Sequence, residues 1–324
     1  MSISYGGLLY WDRTLPLYLH DVTPAGVQLD YVVHESAPAL FQRQVQDQHF
    51  DVSEMSASTF IILIARGDDR FVGLPLYVSR NFRHGQIYVH AASSIDKPED
   101  LRGKRVGVLE YQMTAALWIR AFLQHDFDVH PHDMRWFTGG LTEPRWEERL
   151  TLDLPAGISL ERIPPGKTLE QMLADGELDA LVTAQPPKSF TAGGDCIRRL
   201  FQDYESVERD YYRRTQLFPI MHLVVIRRDV YEANRWLAVA LVEAFEQAKA
   251  IGQRRLRAIT GLAVGLPWLG SALDTVDLLF GGDAFPYGLA ANAKTLGAMT
   301  QYAYEQGLAD RKVEITELCA PEVR

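Results

Sequence analysis

Short apolar runs alternate with amphipathic segments along most of the chain. The runs predict strands at residues 7–10, 27–33, 50–56, 71–78, 87–89, 106–108, 129–137, 158–163, 178–183 and 218–226. Helical spacing of apolar residues predicts helices at 37–48, from residue 56 or 58, at 110–123, at 168–175, and from 229 to the end with breaks at 267 and 281–288. Residues 141–157, which contain Pro144 and Pro155, are expected to form a loop. This alternation is typical of an α/β fold in which helices cover a parallel sheet.

The composition is that of a globular protein with two lobes. The chain has 324 residues, which is too long for one small core and suits two lobes. Its residues are 47% hydrophobic and 23% charged, proportions that are typical of soluble globular proteins. The formal net charge of −9, with no basic tract, argues against a nucleic-acid partner. Cys196 and Cys319 lie far apart, outside any CxxC or metal-binding spacing, so we expect two reduced thiols.

Targeting and motif signals narrow the class further. Residues 1–7 show neither the basic nor the apolar segment of a secretory signal, and no apolar run reaches membrane-spanning length. We therefore expect a cytoplasmic protein without a membrane partner. The sequence contains no GxSxG, GxGxxG or P-loop motif, which argues against a hydrolase triad, a dinucleotide site and a nucleoside triphosphatase.

A basic segment between two predicted strands indicates an anionic ligand. Arg80, Arg83 and His84 lie within residues 79–85, directly after the predicted strand at 71–78. Ligands of open α/β sheets bind where strands end. Arginine binds carboxylates through two parallel hydrogen bonds, and histidine can transfer a proton near neutral pH. The segment therefore predicts a small acidic ligand, with a solvated basic turn or a salt-bridged surface pair as the alternative.

Three further candidates lie in or beside other predicted strands. His222 lies inside the apolar run at 218–226, where it is either a hydrogen-bonded core histidine or a proton carrier. Glu54 either acts as an acid or base or hydrogen-bonds the adjacent backbone. Arg13 either binds a carboxylate or pairs with its neighbour Asp12.

Seven short motifs, in order, resemble the 4,5-dihydroxyphthalate decarboxylase family. They are DRT at 12–14, FDVSEMS at 50–56, GDDRFV at 67–72, FRH at 82–84, EYQMT at 110–114, WFTGG at 136–140 and FPIMH at 218–222. The similarity covers nearly the whole chain. The segment DLRGKRVGV at 100–108, with the α/β units around it, looks like a type II periplasmic-binding-protein fold.

The resemblance implies two α/β lobes with a ligand cleft between them. Residues 1–93 and 215–324 would form lobe one, including a helical C-terminal region, and residues 94–214 would form lobe two. The implied activity is the non-oxidative loss of carbon dioxide from 4,5-dihydroxyphthalate to give protocatechuate. We expect no cofactor and assign no metal ligand, and the participation of a metal stays open. The implied partners are a small aromatic carboxylate substrate and further copies of the chain in a homo-oligomer.

The candidate residues acquire roles in this framework. Aromatic decarboxylation needs a proton donor at the ring carbon and an anchor for the remaining carboxylate. His84, His222 or Glu54 would transfer the proton, and the choice among them stays open. The candidate substrate-binding residues are Arg13, Arg80, Arg83, Ser53, Ser56, Tyr111, Gln112, Thr114 and Thr138, of which the serines, Tyr111, Gln112 and Thr114 lie near predicted helix starts that favour anions.

Two other functions remain open at this level. A cytosolic protein of the same fold could bind a small aromatic carboxylate without turning it over. Synthesis of a thiamine pyrimidine on a similar fold would need a lysine for pyridoxal phosphate, for which Lys188 is the candidate. His125, His130 and His132 are assigned to the surface rather than to a metal site.

Overall fold

The computed structural model describes residues 1–144, 149–258, 261 and 264–324. The chain divides into two units. The first contains Met1–Arg80, Ile220–Gly297 and Val313–Arg324, and the second contains Asn81–Pro219 and Ala298–Lys312. The sequence analysis placed the first boundary after residue 93, whereas the strand at residues 87–90 pairs within the sheet of the second unit.

The secondary structure alternates as the apolar pattern indicates. The strands are β1 (Ser2–Gly7), β2 (Gln28–Val33), β3 (Val52–Ser56), β4 (Phe71–Arg80), β5 (Ile87–His90), β6 (Arg105–Val108), β7 (Arg135–Thr138), β8 (Ser159–Arg162), β9 (Ala180–Val182), β10 (Ile197–Arg199) and β11 (Ile220–Arg227). The helices are α1 (Leu15–Tyr18), α2 (Ala37–Asp47), α3 (Ala57–Ala65), α4 (Thr114–Phe127), α5 (Leu169–Ala174), α6 (Lys188–Thr191), α7 (Tyr204–Thr215), α8 (Arg228–Ala233), α9 (Trp236–Leu256), α10 (Leu269–Phe280) and α11 (Leu289–Glu305).

The first unit is built on a mixed sheet of five strands in the order β2-β1-β3-β11-β4. β1 runs parallel to β2 and β3, whereas β11 runs antiparallel to both β3 and β4. All residues of the central strand β3 are buried, and so are most residues of β4, although β4 lies at the edge of the sheet. Val52, Leu74, Val224 and Phe245 are among the fully buried residues of this core.

The second unit has its own mixed sheet, in the order β10-β5-β9-β6-β7-β8. Its strands from β9 to β8 are parallel, and β5 runs antiparallel to β9 and β10. α5 packs on this sheet through Leu169 and Leu173, which are fully buried with Leu178 and Leu181. Each unit therefore has a separate apolar core.

Most predicted elements are confirmed because buried runs and helical spacing are strong signals. The prediction of a parallel sheet is confirmed for β1 with β2 and β3 and for β9, β6, β7 and β8, whereas β11, β5 and β10 run antiparallel to their neighbours. The first strand spans Ser2–Gly7 rather than 7–10, because the chain turns at Tyr10, whose carbonyl accepts from Thr14 and Leu15. The strand predicted at 129–137 is confined to β7, because Pro131 begins a short 3₁₀ turn.

Two further comparisons concern polar segments. No helix was predicted at α7, a polar helix in which Tyr211 is buried. Residues 145–148 of the predicted loop lie outside the described residues, and the rest of that loop contains neither helix nor strand.

None of the helices in the described part of the chain combines the length and apolarity needed to cross a bilayer.

Candidate active site

Glu54 is a fully buried carboxylate in the central strand β3 of the first unit. Its Oε2 accepts a hydrogen bond from the backbone N–H of Leu8, 3.0 Å away. Its Oε1 accepts from the hydroxyl of Tyr10 at 2.5 Å and lies 2.5 Å from Nδ1 of His222. A buried charge is tolerated when hydrogen bonds replace its hydration. Three polar groups, from Leu8, Tyr10 and His222, thus surround the two oxygens of this buried side chain.

His222 reaches Glu54 from the neighbouring strand β11. In the antiparallel pairing of β3 and β11, His222 lies opposite Ser56, and Glu54 is its diagonal neighbour. The imidazole packs edge-on against the ring of Phe41, with centroids 4.8 Å apart. Its side chain keeps 16% of its surface exposed, whereas the Glu54 side chain has none. The carboxylate is thus closed to solvent, and the imidazole that contacts it is partly exposed.

The partners of Glu54 define the tautomer of His222. A carboxylate oxygen can only accept, so Nδ1 of His222 carries the proton that faces Glu54. Nε2 is then the nitrogen that exchanges a proton with a ligand. A histidine oriented by a buried carboxylate in this way is a common arrangement for general acid–base chemistry.

Arg13 lies beside this pair, stacked between two aromatic rings. Its guanidinium carbon is 4.3 Å from the ring centroid of Tyr10 and 3.9 Å from that of Phe285. Nε donates to the carbonyl of Val78 at 2.7 Å, and Nη1 donates to both carboxylate oxygens of Asp12. The pairing of Arg13 with Asp12, one of the two alternatives of the sequence analysis, is therefore present. The same guanidinium packs against the ring of Tyr10.

Arg80 ends strand β4 on the other side of β11. In the sheet, Arg80 pairs with Ile220, and the preceding Ser79 pairs with His222. The guanidinium Nη2 donates to Oδ1 of Asn292 and, at 3.3 Å, to the carbonyl of Pro286. Arg80 is nearly fully buried, so these contacts fix its charge close to the strand that carries His222.

The predicted serines hydrogen-bond neighbouring parts of the first unit. The hydroxyl of Ser53 donates to the carbonyls of Glu54 and Gly6. Ser56 is the N-cap of α3, and its hydroxyl accepts from the backbone N–H of Thr59 and contacts the hydroxyl of Ser58. Both side chains support the segments that carry Glu54 and the start of α3.

His84 belongs to the second unit and lies in an aromatic cluster. Its ring stacks on Phe122, with centroids 3.9 Å apart, and contacts Phe201 and Tyr211. Neither ring nitrogen has a hydrogen-bond partner in the described part of the chain. Burial, aided by the charge of Arg214, lowers the pKa of His84 to about 3. These are the surroundings of a neutral core histidine.

Arg83 and Glu208 lie close to His84. Arg83 is nearly fully buried and donates from Nη1 to the carbonyl of Ala184 at 3.0 Å. Burial lowers its pKa to about 10, opposed by Glu208. Burial likewise raises the pKa of Glu208 to about 7, although Glu208 accepts from the backbone N–H of Gly85. The predicted basic segment is thus divided, with Arg80 in one unit and Arg83 and His84 in the other.

The remaining predicted residues surround the start of α4 in the second unit. Tyr111 is fully buried beneath the guanidinium of Arg120, which lies 3.8 Å above its ring centroid. Gln112 is fully buried in the preceding turn, and Thr114 is the first helical residue. Thr138 ends β7, and its carbonyl accepts from the backbone N–H of Ile163.

The structure therefore brings together one group of predicted residues in the first unit. Glu54 and His222 are in contact, and Arg13 joins them through Tyr10. Tyr10 was not a candidate, because a tyrosine that ends a predicted strand carries no signal of its own. Among the described residues, no group of three or more His, Cys, Asp or Glu could hold a metal ion.

Comparison with solved structures confirms the predicted fold. The periplasmic aliphatic sulphonate-binding protein SsuA from Escherichia coli aligns with a TM-score of 0.56 at 15% identity, covering 99% of this chain and 98% of that one. The alkanesulfonate-binding protein SsuA from Xanthomonas axonopodis pv. citri, solved with MOPS bound, aligns with a TM-score of 0.54 at 13% identity, covering 98% of each chain. The fold is that of the periplasmic binding proteins.

Sequence comparison identifies the family. No protein-family model matches the chain. A 4,5-dihydroxyphthalate decarboxylase of Comamonas testosteroni is 36% identical over 321 residues, which cover 99% of this chain and 96% of that protein. A second protein of the same name, from Pseudomonas putida, is 35% identical over 66% of this chain and 81% of its own length. Because the identity to the first relative extends over nearly the whole of both chains, and the second relative has the same name, the chain belongs to the 4,5-dihydroxyphthalate decarboxylase family, a family of carboxy-lyases.

Proposed function

We propose that this protein decarboxylates a dihydroxylated aromatic dicarboxylate, namely 4,5-dihydroxyphthalate, and releases protocatechuate and carbon dioxide. The observation that carries the proposal is the contact between Glu54 and His222. It gives a member of a decarboxylase family a histidine whose Nε2 is oriented to exchange a proton.

The chemistry of this substrate matches what one histidine can supply. Each carboxylated ring carbon lies para to a hydroxyl group, which can push electron density toward that carbon. Protonated His222 forms the new C–H bond by giving its Nε2 proton to the ring carbon. The bond between the ring and the carboxylate then breaks, its electron pair restores the aromatic ring, and carbon dioxide leaves. His222 regains a proton from solvent, so each turnover consumes one proton.

Glu54 supports this step without touching the substrate. Its Oε1 holds the Nδ1 proton of His222, which keeps Nε2 directed outward and stabilises the charged imidazolium. Because Glu54 is fully buried and hydrogen-bonded to Leu8 and Tyr10, it has little freedom to swing away. This rigidity keeps the proton donor oriented between turnovers.

We propose that Arg13 and Arg80 bind the substrate carboxylates. Arg13 is stacked on the ring of Tyr10, which contacts Glu54, and Arg80 ends the strand beside β11. Both guanidiniums are held by hydrogen bonds to their own unit, so little side-chain entropy is lost on binding. The roles predicted for Arg83, His84, Ser53, Ser56, Tyr111, Gln112, Thr114 and Thr138 stay predictions.

The proposed step requires only a proton, and we propose that it proceeds without a cofactor. Purified protein, treated with a chelator and dialysed, is incubated with 4,5-dihydroxyphthalate, and both carbon dioxide and protocatechuate are measured. We expect stoichiometric release of the two products. Binding of the substrate without turnover would contradict the proposed activity, and turnover that returns only with added metal would contradict cofactor independence.

The variant His222→Gln tests the proton donor. Glutamine keeps a donor toward Glu54 but cannot deliver a proton, so we expect kcat to fall about 10²- to 10⁴-fold, the usual contribution of general acid catalysis. The matched control is His20→Gln, an exposed histidine of the same unit, which should retain full activity. Full activity of His222→Gln with unchanged folding would exclude His222 as the acid.

A further inference from the structure

Tyr10 and His222 share one oxygen atom of Glu54. The Tyr10 hydroxyl and the Nδ1 of His222 each lie 2.5 Å from Oε1, whereas Oε2 accepts from the backbone of Leu8. Burial and the neighbouring Glu54 hold the pKa of Tyr10 well above its ordinary value, so its hydroxyl stays protonated and donates. The Tyr10 hydroxyl and the His222 imidazole therefore share one carboxylate oxygen as their hydrogen-bond acceptor.

We propose that Tyr10 is a positioning residue that limits how strongly Glu54 holds the protonated form of His222. A carboxylate oxygen that already accepts a short bond from a phenol is a weaker acceptor for an imidazolium. The effect on His222 stands on the geometry alone, and its consequence for catalysis rests on the proposed function. Tyr10 would make His222 a readier proton donor while Glu54 still fixes its orientation.

The surroundings of His222 limit the groups that can set its charge. Glu54 faces it from β3, and Phe41 of α2 presents an uncharged ring edge. Ser79 of β4 lies opposite it in the sheet and also hydrogen-bonds the Tyr10 hydroxyl. Among the described contacts, the cation Arg13 is connected to Glu54 through the ring of Tyr10.

The Tyr10→Phe variant removes the hydroxyl and keeps the ring on which Arg13 stacks. Glu54 then directs its full acceptor strength at His222. A hydrogen bond to a charged group is stronger than one between neutral groups, so the acceptor that Tyr10 releases strengthens the bond to the imidazolium. We therefore expect the titration midpoint of His222 to rise by about one pH unit.

The matched control is Tyr31→Phe. Tyr31 is also buried in the first unit, and its hydroxyl donates to the carbonyl of Leu8 at 2.5 Å and contacts Thr14. It makes no hydrogen bond to Glu54 among the described contacts. Loss of this hydroxyl should lower stability in the same way while leaving the titration of His222 unchanged.

The measurement is an NMR pH titration of protein labelled in histidine rings. The His222 signal is assigned by its disappearance in His222→Gln. A higher midpoint in Tyr10→Phe, with no change in Tyr31→Phe, supports the inference. A midpoint in Tyr10→Phe equal to that of the unmodified chain, or an equal shift in both variants, overturns it.

The pH profile of kcat separates this inference from the proposed function. If His222 is the acid, the alkaline limb of the profile moves to higher pH in Tyr10→Phe together with the NMR midpoint. A shifted midpoint with an unmoved profile, or with no decarboxylation by the unmodified chain, would refute the role of His222 and leave the effect of Tyr10 established. An unshifted midpoint in an active enzyme refutes Tyr10 alone.

Discussion

Two histidines of this chain show how local surroundings decide what an imidazole can do. His222 retains some exposure and holds a buried carboxylate with one nitrogen. His84 is 2% exposed, stacked on Phe122, and its pKa is lowered to about 3 by burial. At neutral pH, His84 is therefore uncharged and contributes to packing, which makes His222 the better candidate for the proton donor.

The lowered pKa of His84 predicts an acid sensitivity of stability. The unfolded chain binds a proton at His84 below about pH 6.5, whereas the folded chain does not until about pH 3, so stability falls as the pH drops through this window. At pH 5 the loss reaches about 2 kcal/mol relative to pH 8. The variant His84→Phe keeps the stack on Phe122 but has no group that titrates at this position. We therefore expect its free energy of unfolding to fall by about 2 kcal/mol less between pH 8 and pH 5 than that of the unmodified chain, as measured by urea unfolding at both pH values.

The pH dependence of stability is compared between the unmodified chain and His84→Phe because Glu208, a neighbour of His84, has the opposite effect on stability. Burial raises the pKa of Glu208 to about 7, and its Oε1 lies 3.9 Å from Nδ1 of His84. Protonation of Glu208 stabilises the folded chain as the pH falls, in the unmodified chain and in the variant alike. Identical pH dependence of both proteins would show that His84 carries a proton in the folded state.

Only part of the site could be predicted at the level of single residues. Glu54 and His222 were recognisable because polar residues in apolar strands need partners. The contact between Glu54 and His222 could not be predicted, because the two residues are 168 positions apart and the local sequence does not determine the order of the strands. His84 was expected to be more exposed than it is, since a basic loop sequence does not show that aromatic side chains from other elements cover it.

At the scale of elements, α9 positions the segment that carries Arg13. Gly252 lies in this helix, and a Cβ built there would come within 2.4 Å of the backbone carbonyl group of Asp12 and 2.9 Å of the backbone nitrogen of Arg13. Only glycine permits this approach of helix and chain. The helix thus holds the backbone that places the guanidinium of Arg13 on the ring of Tyr10.

Gly252→Ala should therefore disturb both stability and binding. The added methyl group meets backbone rather than a movable side chain, so we expect a loss of about 1–3 kcal/mol in the free energy of unfolding. If Arg13 binds a carboxylate, KM rises more than kcat falls. The control is Gly270→Ala in α10, where no atom of the described residues lies within 4 Å of the added Cβ. An unchanged KM in a destabilised Gly252→Ala would argue against Arg13 as a substrate ligand.

Element types were predictable where burial follows a simple period. β4 and β11 are nearly continuous apolar runs, and α2 shows apolar residues at helical spacing with a serine cap. α7 was missed because its apolar positions are few: apart from Tyr204, Val207, Tyr211 and Tyr212, its residues are charged or polar. Strand direction was mispredicted because antiparallel return strands look the same in sequence as parallel ones.

At the scale of the whole molecule, α10 is unusual in its exposure. All of its residues lie in the described part of the chain, and none of them is buried. Leu278 is 83% exposed, and Trp268, just before the helix, is 80% exposed. Several large apolar side chains exposed along one segment are a feature of surfaces that contact other proteins.

We expect this helix to contribute to the homo-oligomer that the sequence analysis predicts. A charged residue in such a contact must be desolvated, so Leu278→Glu should shift the protein toward smaller species in sedimentation velocity runs at equal concentration. The control is Leu19→Glu, an exposed leucine outside α10. A monomeric unmodified chain, or an unchanged sedimentation coefficient in Leu278→Glu, would contradict this expectation.

The position of β11 has a consequence for how the protein is made. β11 lies between β3 and β4, so these two early strands do not pair with each other and both wait for a strand that the ribosome adds about 140 residues later. The second unit, in contrast, has its whole sheet by residue 199. A nascent chain that has not yet passed His222 contains Glu54 and Tyr10 but not their partner. The contact between Glu54 and His222 therefore forms only after the whole sheet of the second unit has been synthesised.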